Sequence, residues 1–293
     1  MIIPKQFCCF ILLSIIFSDN NSHANSPDQT AIETLFSIDG THSPELIFTT
    51  EQNGQQVFTF VNLEGQTVNG VLLPPLQAMS VKKFAIALHP MGDSHSFWWR
   101  KKSNLEAHQL SNHLRASGYT VMALDARLHG ERKIKNVGPR ELLNNAHSDT
   151  PDLYNNTISG TIRDYRQLFN WIQQHHKPRK TITLGYSMGG QMSILLARYE
   201  KKLDAVLTMV PPYVKSNQSP VAPRVHTPHL PLNSKILWLA ANNDQYSNKQ
   251  GIQDSFNLIR SADKEIHWFD SGHRLPSNYV EHGIIFIDRL ESE

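Results

Sequence analysis

Cysteine is nearly absent from this chain of 293 residues, which contains only Cys8 and Cys9. Both lie in an apolar N-terminal segment that we predict to be removed from the mature protein. The mature chain would then contain no cysteine, which excludes a disulfide framework and a cysteine nucleophile. An exported protein without cysteine is more typical of a bacterial periplasm than of the disulfide-rich secreted domains of eukaryotes.

The chain also lacks a surplus of charge. Its 28 Lys and Arg residues nearly balance its 26 Asp and Glu residues, and the sequence contains no run of five or more basic residues. Nucleic acids and anionic surfaces are therefore not expected partners.

Metal and cofactor sites are not indicated either. The 15 histidines are scattered along the sequence. Pairs such as His89 with His95 lack the helical spacing and the following glutamate that are typical of a zinc hydrolase. We therefore expect no metal and no cofactor.

The N-terminal segment has the features of an export signal. Its apolar run, residues 7–17, is too short to span a bilayer as a helix. Polar residues follow, and then S-H-A at residues 22–24 provides a small-x-small site for signal peptidase. We predict a signal peptide over residues 1–24, cleavage after Ala24, and a periplasmic or secreted protein without stable membrane insertion. The alternatives are an uncleaved anchor or a lipoprotein, and the missing lipobox disfavours the latter.

A single large domain is predicted after the export signal. We expect an N-terminal extension over residues 25–55 and one domain over residues 56–293, because the sequence shows no repeat and no second domain. The pattern over residues 31–75 is strand-like, and residues 56–61 and 67–72 flank a turn as the strands of an antiparallel hairpin do.

The remainder alternates between strand-like and helix-like segments. Short runs that suit buried strands occur at residues 84–88, 120–124, 181–184, 205–210, 236–240 and 265–269. Helices are predicted at residues 104–117, 159–176, 188–199, 250–261 and 279–290. Such alternation builds a parallel sheet.

Two stretches interrupt this alternation. Residues 131–156 form a polar insertion with room for a short helix near Glu141, and residues 211–234 are rich in proline and are predicted as a loop. Neither stretch indicates a large cap over the sheet.

The sequence T-I-T-L-G-Y-S-M-G-G at residues 181–190 connects a predicted strand to a predicted helix. Gly185 and Gly189 flank Ser187 at the G-x-S-x-G spacing. A serine on such a sharp turn has a strained backbone, and neighbours without a Cβ atom allow the turn to close. The following helix N-terminus offers free amides to a developing negative charge. The pattern predicts Ser187 as a nucleophile.

Acyl transfer by serine also needs a base and an acid that orients the base. Asp244 follows the predicted strand at 236–240, and His273 follows the next strand. Asp270 is an alternative acid because it lies three residues before His273, and Asp125 ends a different strand.

These motifs together resemble those of the α/β-hydrolase fold, in particular esterases of the dienelactone hydrolase and prolyl oligopeptidase type. The resemblance covers about residues 56–290 and is carried by L-H-P-M-G at 88–92, D-A-R-L-H-G at 125–130, G-Y-S-M-G-G at 185–190, N-N-D at 242–244 and S-G-H at 271–273. It implies an α/β fold with a mostly parallel central sheet, an N-terminal antiparallel hairpin, helices on both faces and no large cap.

The resemblance also implies a role for each matching residue. Ser187 would be the nucleophile, His273 the general base and Asp244 the orienting acid. The backbone amide of Met188 would be one oxyanion donor. The second would come from the loop after His89, from Met91 or from Gly92, since Pro90 has no N–H group.

Other residues near these motifs are interpreted as structural. We expect His89 to anchor its loop, Arg127 and His129 to brace the neighbouring loop, and Asp125 to pair near Arg127. The aromatic run at residues 97–99 either lines a substrate pocket or packs against the following helix.

The sequence thus predicts an exported serine hydrolase that cleaves a small-molecule carboxylic ester through an acyl-serine intermediate. With no large cap, short acyl groups are favoured, although the insertion at residues 131–156 would narrow the entrance. One alternative is a serine peptidase of the prolyl oligopeptidase type, for which the chain before residue 56 is too short to form a propeller. Another is a non-catalytic binding protein on the same fold.

Overall fold

A computed structural model describes residues 28–292 except for 39, 41, 53, 102–104 and 215–218. The predicted signal peptide at residues 1–24 therefore lies outside the described residues. None of the helices in the described ranges combines the length and the hydropathy that a membrane span requires.

The centre of the molecule is one mixed sheet with the strand order β1-β2-β3-β5-β4-β6-β7-β8-β9. Strands β1, β2, β3 and β5 pair antiparallel in that order, and all pairings from β5 to β9 are parallel. This confirms the predicted hairpin and the mostly parallel sheet. The strands are β1 Ile47–Gln52, β2 Gln55–Val61, β3 Thr67–Leu73, β4 Lys83–Leu88, β5 Tyr119–Leu124, β6 Lys180–Tyr186, β7 Ala205–Met209, β8 Lys235–Ala241 and β9 Lys264–Phe269.

Helices cover both faces of this sheet and bury two separate apolar cores. One core includes side chains of α1, α4, α5 and α7, and the other includes side chains of α2 and α8. Successive residues of β4 point into opposite cores, as the alternation of a strand requires. The helices are α1 Gln29–Phe36, α2 His108–Ala116, α3 Pro139–Ala146, α4 Asp152–His176, α5 Met188–Tyr199, α6 Pro223–His226, α7 Lys249–Asn257 and α8 Tyr279–Glu291.

The segment before residue 56 differs from its prediction. Residues 29–36 form a helix rather than a strand, and this helix buries Ile32 and Phe36, which lie four residues apart on one helical face. Strand β1 pairs with β2, so the sheet begins ahead of the predicted start of the domain at residue 56.

Helix α4 begins seven residues earlier than the sequence indicates, at Asp152 instead of residue 159. Its first turns are rich in polar residues, which the sequence pattern does not favour in a helix. Thr157 and Thr161 satisfy their hydroxyls within the helix, by donating to the carbonyls of Leu153 and Thr157. Gly160 leaves room for the Arg127 guanidinium, which a Cβ atom there would approach to 2.2 Å.

The two interrupting stretches are partly helical. The insertion contains α3, which confirms the short helix predicted near Glu141. The stretch at residues 211–234, predicted as a loop, contains α6 and a 3₁₀ turn at Thr227–His229.

A buried carboxylate joins the β2–β3 turn to the loop after β5. Asp164 of α4 has a side chain only 1% exposed, and it accepts hydrogen bonds from Asn62 at 2.7 Å and from Arg132 at 2.8 Å. Arg127 lies beside it, with Nε 3.4 Å from Oδ2. The Asn62 amide oxygen in turn accepts the backbone N–H groups of Glu64 and Gln66, which shapes the turn.

Asp164→Ala should lower the free energy of unfolding by about 3 kcal/mol, because it leaves the largely buried guanidinium groups of Arg127 and Arg132 without their shared carboxylate. Urea denaturation monitored by circular dichroism measures the change. Glu265→Ala is the matched control, since its ion pair with Arg289 is exposed and should contribute less than about 1 kcal/mol. Equal losses in the two variants would contradict the prediction.

Candidate active site

Ser187 lies at the sharp turn between β6 and α5. Its backbone has φ 55° and ψ −119°, a conformation that residues other than glycine rarely adopt. The turn is held by a hydrogen bond of 2.8 Å from the Ser187 N–H group to the carbonyl oxygen of Met209 in β7. The strained serine predicted from the sequence is therefore present at this position.

The flanking glycines are required because backbones approach very closely here. A Cβ atom on Gly185 would lie 2.0 Å from the carbonyl oxygen of Gly189. A Cβ atom on Gly189 would lie 2.0 Å from the carbonyl oxygen of Leu88, at the end of β4. Backbone atoms cannot move aside as a flexible side chain can, so any other residue at either position would displace the turn.

The structure brings Ser187, His273 and Asp244 together in one hydrogen-bonded series. Nε2 of His273 lies 2.7 Å from Oγ of Ser187. Nδ1 of the same ring lies 2.9 Å from each carboxylate oxygen of Asp244. The carboxylate is 3% exposed and the imidazole 15%, so the ring is accessible from one side while its acid partner is shielded from water.

The loops after β8 and β9 hold the acid and the base in place. Asp244 also accepts the N–H group of Tyr246 at 2.8 Å, and the Tyr246 ring lies edge-on to the His273 imidazole at 4.8 Å between centroids. Tyr186, the residue before the serine, donates its hydroxyl to the His273 carbonyl at 2.9 Å and accepts the N–H group of Leu275.

The rival acids make other contacts. Asp270 accepts a hydrogen bond of 3.2 Å from the side-chain amide of Asn243. Asp125 accepts the N–H groups of His95 and Glu131 at 2.8 Å and 2.9 Å. Within the described residues, Asp244 is thus the carboxylate in contact with the His273 ring.

The predicted pairing of Asp125 with Arg127 is wrong. Arg127 instead pairs with Glu64 of the β2–β3 turn and with Asp164 of α4, and these two arginine–carboxylate contacts brace the loop. Asp125 instead accepts backbone N–H groups from two segments, one after β4 and one after β5, and Gly130 lies so close that a Cβ atom there would overlap its carboxylate.

His89 joins the loop after β4 to the loop after β5. Its Nδ1 lies 2.8 Å from the Pro90 carbonyl oxygen, and its Nε2 lies 3.0 Å from the N–H group of Ala126. Since the amide can only donate, the ring is neutral with its proton on Nδ1. Burial, with a smaller contribution from nearby His129, lowers the pKa of His89 to about 4. These contacts agree with the anchoring role expected from the sequence.

The two candidate oxyanion donors lie beside the serine. Met188 is the first residue of α5, where helix amides have no intrahelical partner. Met91 lines the cavity above Ser187, whereas Gly92, its alternative, does not. Gly92 has φ 83° and packs against Pro139, so it forms the turn that presents Met91.

A cavity of about 490 Å³ opens over Ser187 and His273. The insertion forms one wall through α3, as the predicted narrowing of the entrance requires. The walls are mainly apolar or aromatic and include Met91, Leu105, Pro139, Leu143, Ala146, Tyr154, Tyr186, Pro212, Tyr213, Val214 and Tyr246. Phe97 and Trp98 do not line it; they are buried in the sheet core, so this part of the aromatic run packs rather than binds.

Several residues of the cavity have no sequence signal of their own. Tyr154 is buried, donates its hydroxyl to Gln191 Oε1 at 2.5 Å, and has its pKa raised by burial. Arg140, Tyr246 and Arg274 also line the cavity. For Arg140 the sequence offers an indirect signal: the amphipathic pattern of residues 139–146 indicates the helix that carries it.

The described part of the chain contains no group of three or more His, Cys, Asp or Glu side chains arranged to hold a metal ion.

Comparison with known families and structures agrees with this architecture. The family described as the alpha/beta hydrolase fold matches residues 86–233, just over half of the chain. A comparison with curated protein sequences found no match.

Similar solved structures include three bacterial or environmental hydrolases. Acetyl xylan esterase 1 from Thermoanaerobacterium sp. has a TM-score of 0.66 and 17% identity, over 90% of this chain and 94% of that one. A cold-adapted esterase from an Arctic intertidal metagenomic library has a TM-score of 0.62 and 18% identity, over 83% and 98%. A serine hydrolase without a lid from Xanthomonas campestris has a TM-score of 0.57 and 14% identity, over 83% and 97%. At these identities the likeness shows the fold.

The buried, neutral His89 should make stability depend on pH. Its pKa is about 4 in the folded chain and 6.5 ordinarily, so between these values the unfolded chain binds more protons and stability falls as pH falls. His89→Gln should destabilise the protein most above about pH 6.5, and the difference from the parent should shrink toward about pH 4 by roughly 1.4 kcal/mol per pKa unit.

Urea denaturation at about pH 7, 5.5 and 4.5 measures this dependence. His175→Gln is the control, because His175 is exposed at the end of α4 and its loss should leave the pH dependence of the parent intact. A difference between parent and His89→Gln that stays constant with pH would refute the prediction.

Proposed function

Because the chain belongs to the alpha/beta hydrolase family, we propose that it is an exported serine hydrolase that cleaves carboxylic esters of small molecules. The observation that carries the proposal is the series Ser187–His273–Asp244, with contacts of 2.7 Å and 2.9 Å, at the floor of an open cavity. A serine hydroxyl is a weak nucleophile unless an adjacent base removes its proton, and this series supplies that base.

In the first step, Oγ of Ser187 attacks the ester carbonyl carbon while Nε2 of His273 takes the hydroxyl proton. Asp244, in contact with Nδ1, orients the ring and stabilises the positive charge that forms on it. The tetrahedral intermediate then expels the alcohol, to which His273 returns the proton, and an acyl-serine remains.

The negative charge on the carbonyl oxygen needs donors fixed in advance. We assign them to the backbone amides of Met188, at the N-terminus of α5, and of Met91, which lines the cavity. Each such donor contributes about 3 kcal/mol to transition-state stabilisation. The positive end of the α5 dipole adds to this effect.

Water completes the cycle from the open side of the cavity. His273 takes a proton from the water as its oxygen attacks the acyl carbon, and returns that proton to Oγ of Ser187 as the acid leaves. The 15% exposure of the imidazole is consistent with water reaching the ring at this stage.

Two observations favour esters over peptides. Two of the similar structures named above are esterases. The cavity of about 490 Å³ is bounded by α3 and suits a small ligand better than an extended chain. Short acyl groups should be preferred over long ones for the same reason.

Replacement of Ser187 or Asp244 should nearly abolish ester hydrolysis. With 4-nitrophenyl acetate, butyrate and octanoate as substrates, Ser187→Ala and Asp244→Asn should each reduce kcat by roughly 10³-fold or more. Turnover of the octanoate ester should be slowest. Asp270→Asn is the matched control and should change kcat by less than about twofold, because that carboxylate contacts Asn243 instead of His273.

The proposal fails if the parent and Ser187→Ala release nitrophenol at the same rate from all three esters. If Asp270→Asn were as damaging as Asp244→Asn, the acid assignment alone would be wrong.

Export is part of the proposal and rests on the N-terminal sequence. When the full chain is produced in a bacterial host with a periplasm, we expect the mature protein in the periplasmic fraction with Asn25 as its first residue, determined by N-terminal sequencing. Ala24→Arg should block cleavage and leave the longer form attached to the membrane. An unprocessed parent chain in the membrane fraction would instead support the uncleaved anchor.

A further inference from the structure

The arginine and histidine side chains that line the active-site cavity are all basic. They are Arg140 in the first turn of α3, Arg274 immediately after His273, and the two histidines His147 and His273. No Asp or Glu is among the described residues that line it. This is unusual in a chain whose acidic and basic residues nearly balance.

Arg140 and Arg274 differ from eight other arginines of the described residues, although Arg115, Arg179 and Arg260 also have no carboxylate partner there. Both residues are exposed. Neither side chain forms an ion pair or a hydrogen bond with another described residue. By contrast, carboxylate partners occur for Arg100, Arg127, Arg132, Arg163, Arg166, Arg198, Arg224 and Arg289.

The acid next to Arg140 in sequence is already engaged. Glu141 accepts the N–H group of Gly138 at 2.9 Å, which caps the start of α3. The Asp244 carboxylate next to the cavity is in contact with His273 and 3% exposed, so it does not neutralise Arg274. Both guanidinium groups therefore remain available to a ligand at the cavity.

We propose that this site selects esters that carry a carboxylate in their acid or alcohol portion, and that Arg140 and Arg274 bind that carboxylate. The inference rests on the proposed ester hydrolysis. A guanidinium keeps its charge at all working pH values and presents a planar set of donors that matches a carboxylate. The apolar walls would hold the carbon skeleton, and the arginines would hold the charged end.

Matched ester pairs test the charge preference directly. The acid-side pair is the mono-4-nitrophenyl ester of glutaric acid and 4-nitrophenyl valerate, which have the same acyl length. The alcohol-side pair is 4-acetoxybenzoate and its neutral methyl ester. We expect at least one pair to show about tenfold higher kcat/KM for the anionic member, and high salt should reduce that ratio.

The arginines are then replaced singly and together by glutamine. Each replacement should lower the anionic-to-neutral ratio of kcat/KM by about threefold to fivefold, through KM, and the double replacement should abolish the preference. Arg179→Gln removes the same charge at the amino end of β6, on the opposite edge of the sheet, and should leave the ratio at the parent value.

Binding of unreactive analogues separates this inference from the proposed function. Glutaric acid monoanilide and valeranilide are the amide counterparts of the acid-side pair, and N-acetyl-4-aminobenzoate and its methyl ester are those of the alcohol-side pair. Calorimetry measures their binding to the Ser187→Ala variant. We expect the anionic member of one pair to bind more tightly, and the arginine replacements to remove this difference.

Equal kcat/KM values for the charged and neutral members of both ester pairs, together with equal affinities for the matching analogues, would overturn the inference and leave the esterase proposal intact. So would a preference that survives the double replacement. If the parent hydrolyses none of the esters, the proposed function fails, and the binding data alone decide whether the arginines hold a carboxylate.

Discussion

The close approach of two backbone segments at the end of β6 is the constraint on which the site depends. Gly185 and Gly189 let the turn pack against itself and against the carbonyl of Leu88 with no space for a side chain. The chain can make this turn only with Ser187 at positive φ, and that conformation lifts the hydroxyl above the strand ends. Because neighbouring parallel strands end at the same edge, the loops after β8 and β9 deliver an acid and a base to that hydroxyl.

The strands and the positions of Ser187, Asp244 and His273 at their ends could be predicted from the sequence because each has a local physical cause. Buried parallel strands need continuous apolar runs, the sharp turn needs glycine, and the acid and the histidine must follow later strands. What escaped prediction depends on contacts that no hydrophobic pattern encodes, either within one helix or with distant parts of the chain. Helix α4 begins among polar residues whose hydroxyls are satisfied within the helix, and α1 acquires its apolar face only against the rest of the molecule. The partner of Arg127 is Asp164, which lies 37 residues away in sequence.

The cavity shows most clearly what the sequence pattern does not predict. Its floor is set by the turn and was predictable, but its walls come from α3, from the loop after β7 and from the start of α4. Whether Tyr154 or Arg140 faces the cavity depends on how these elements pack, and no spacing in the sequence encodes that. The aromatic run illustrates the converse, since Phe97 and Trp98 resemble pocket residues in sequence but are buried beneath the sheet.

Tyr186 connects Ser187 and His273 through the framework of the protein as well as through the site. It precedes Ser187 in the chain, and its hydroxyl joins the His273 carbonyl to the Leu275 amide. The strand that ends at Ser187 and the loop that carries His273 are therefore joined by a hydroxyl that does not itself belong to the series. The distance of 2.7 Å between Nε2 of His273 and Oγ of Ser187 is thus set by the framework of the fold as well as by the hydrogen bond itself.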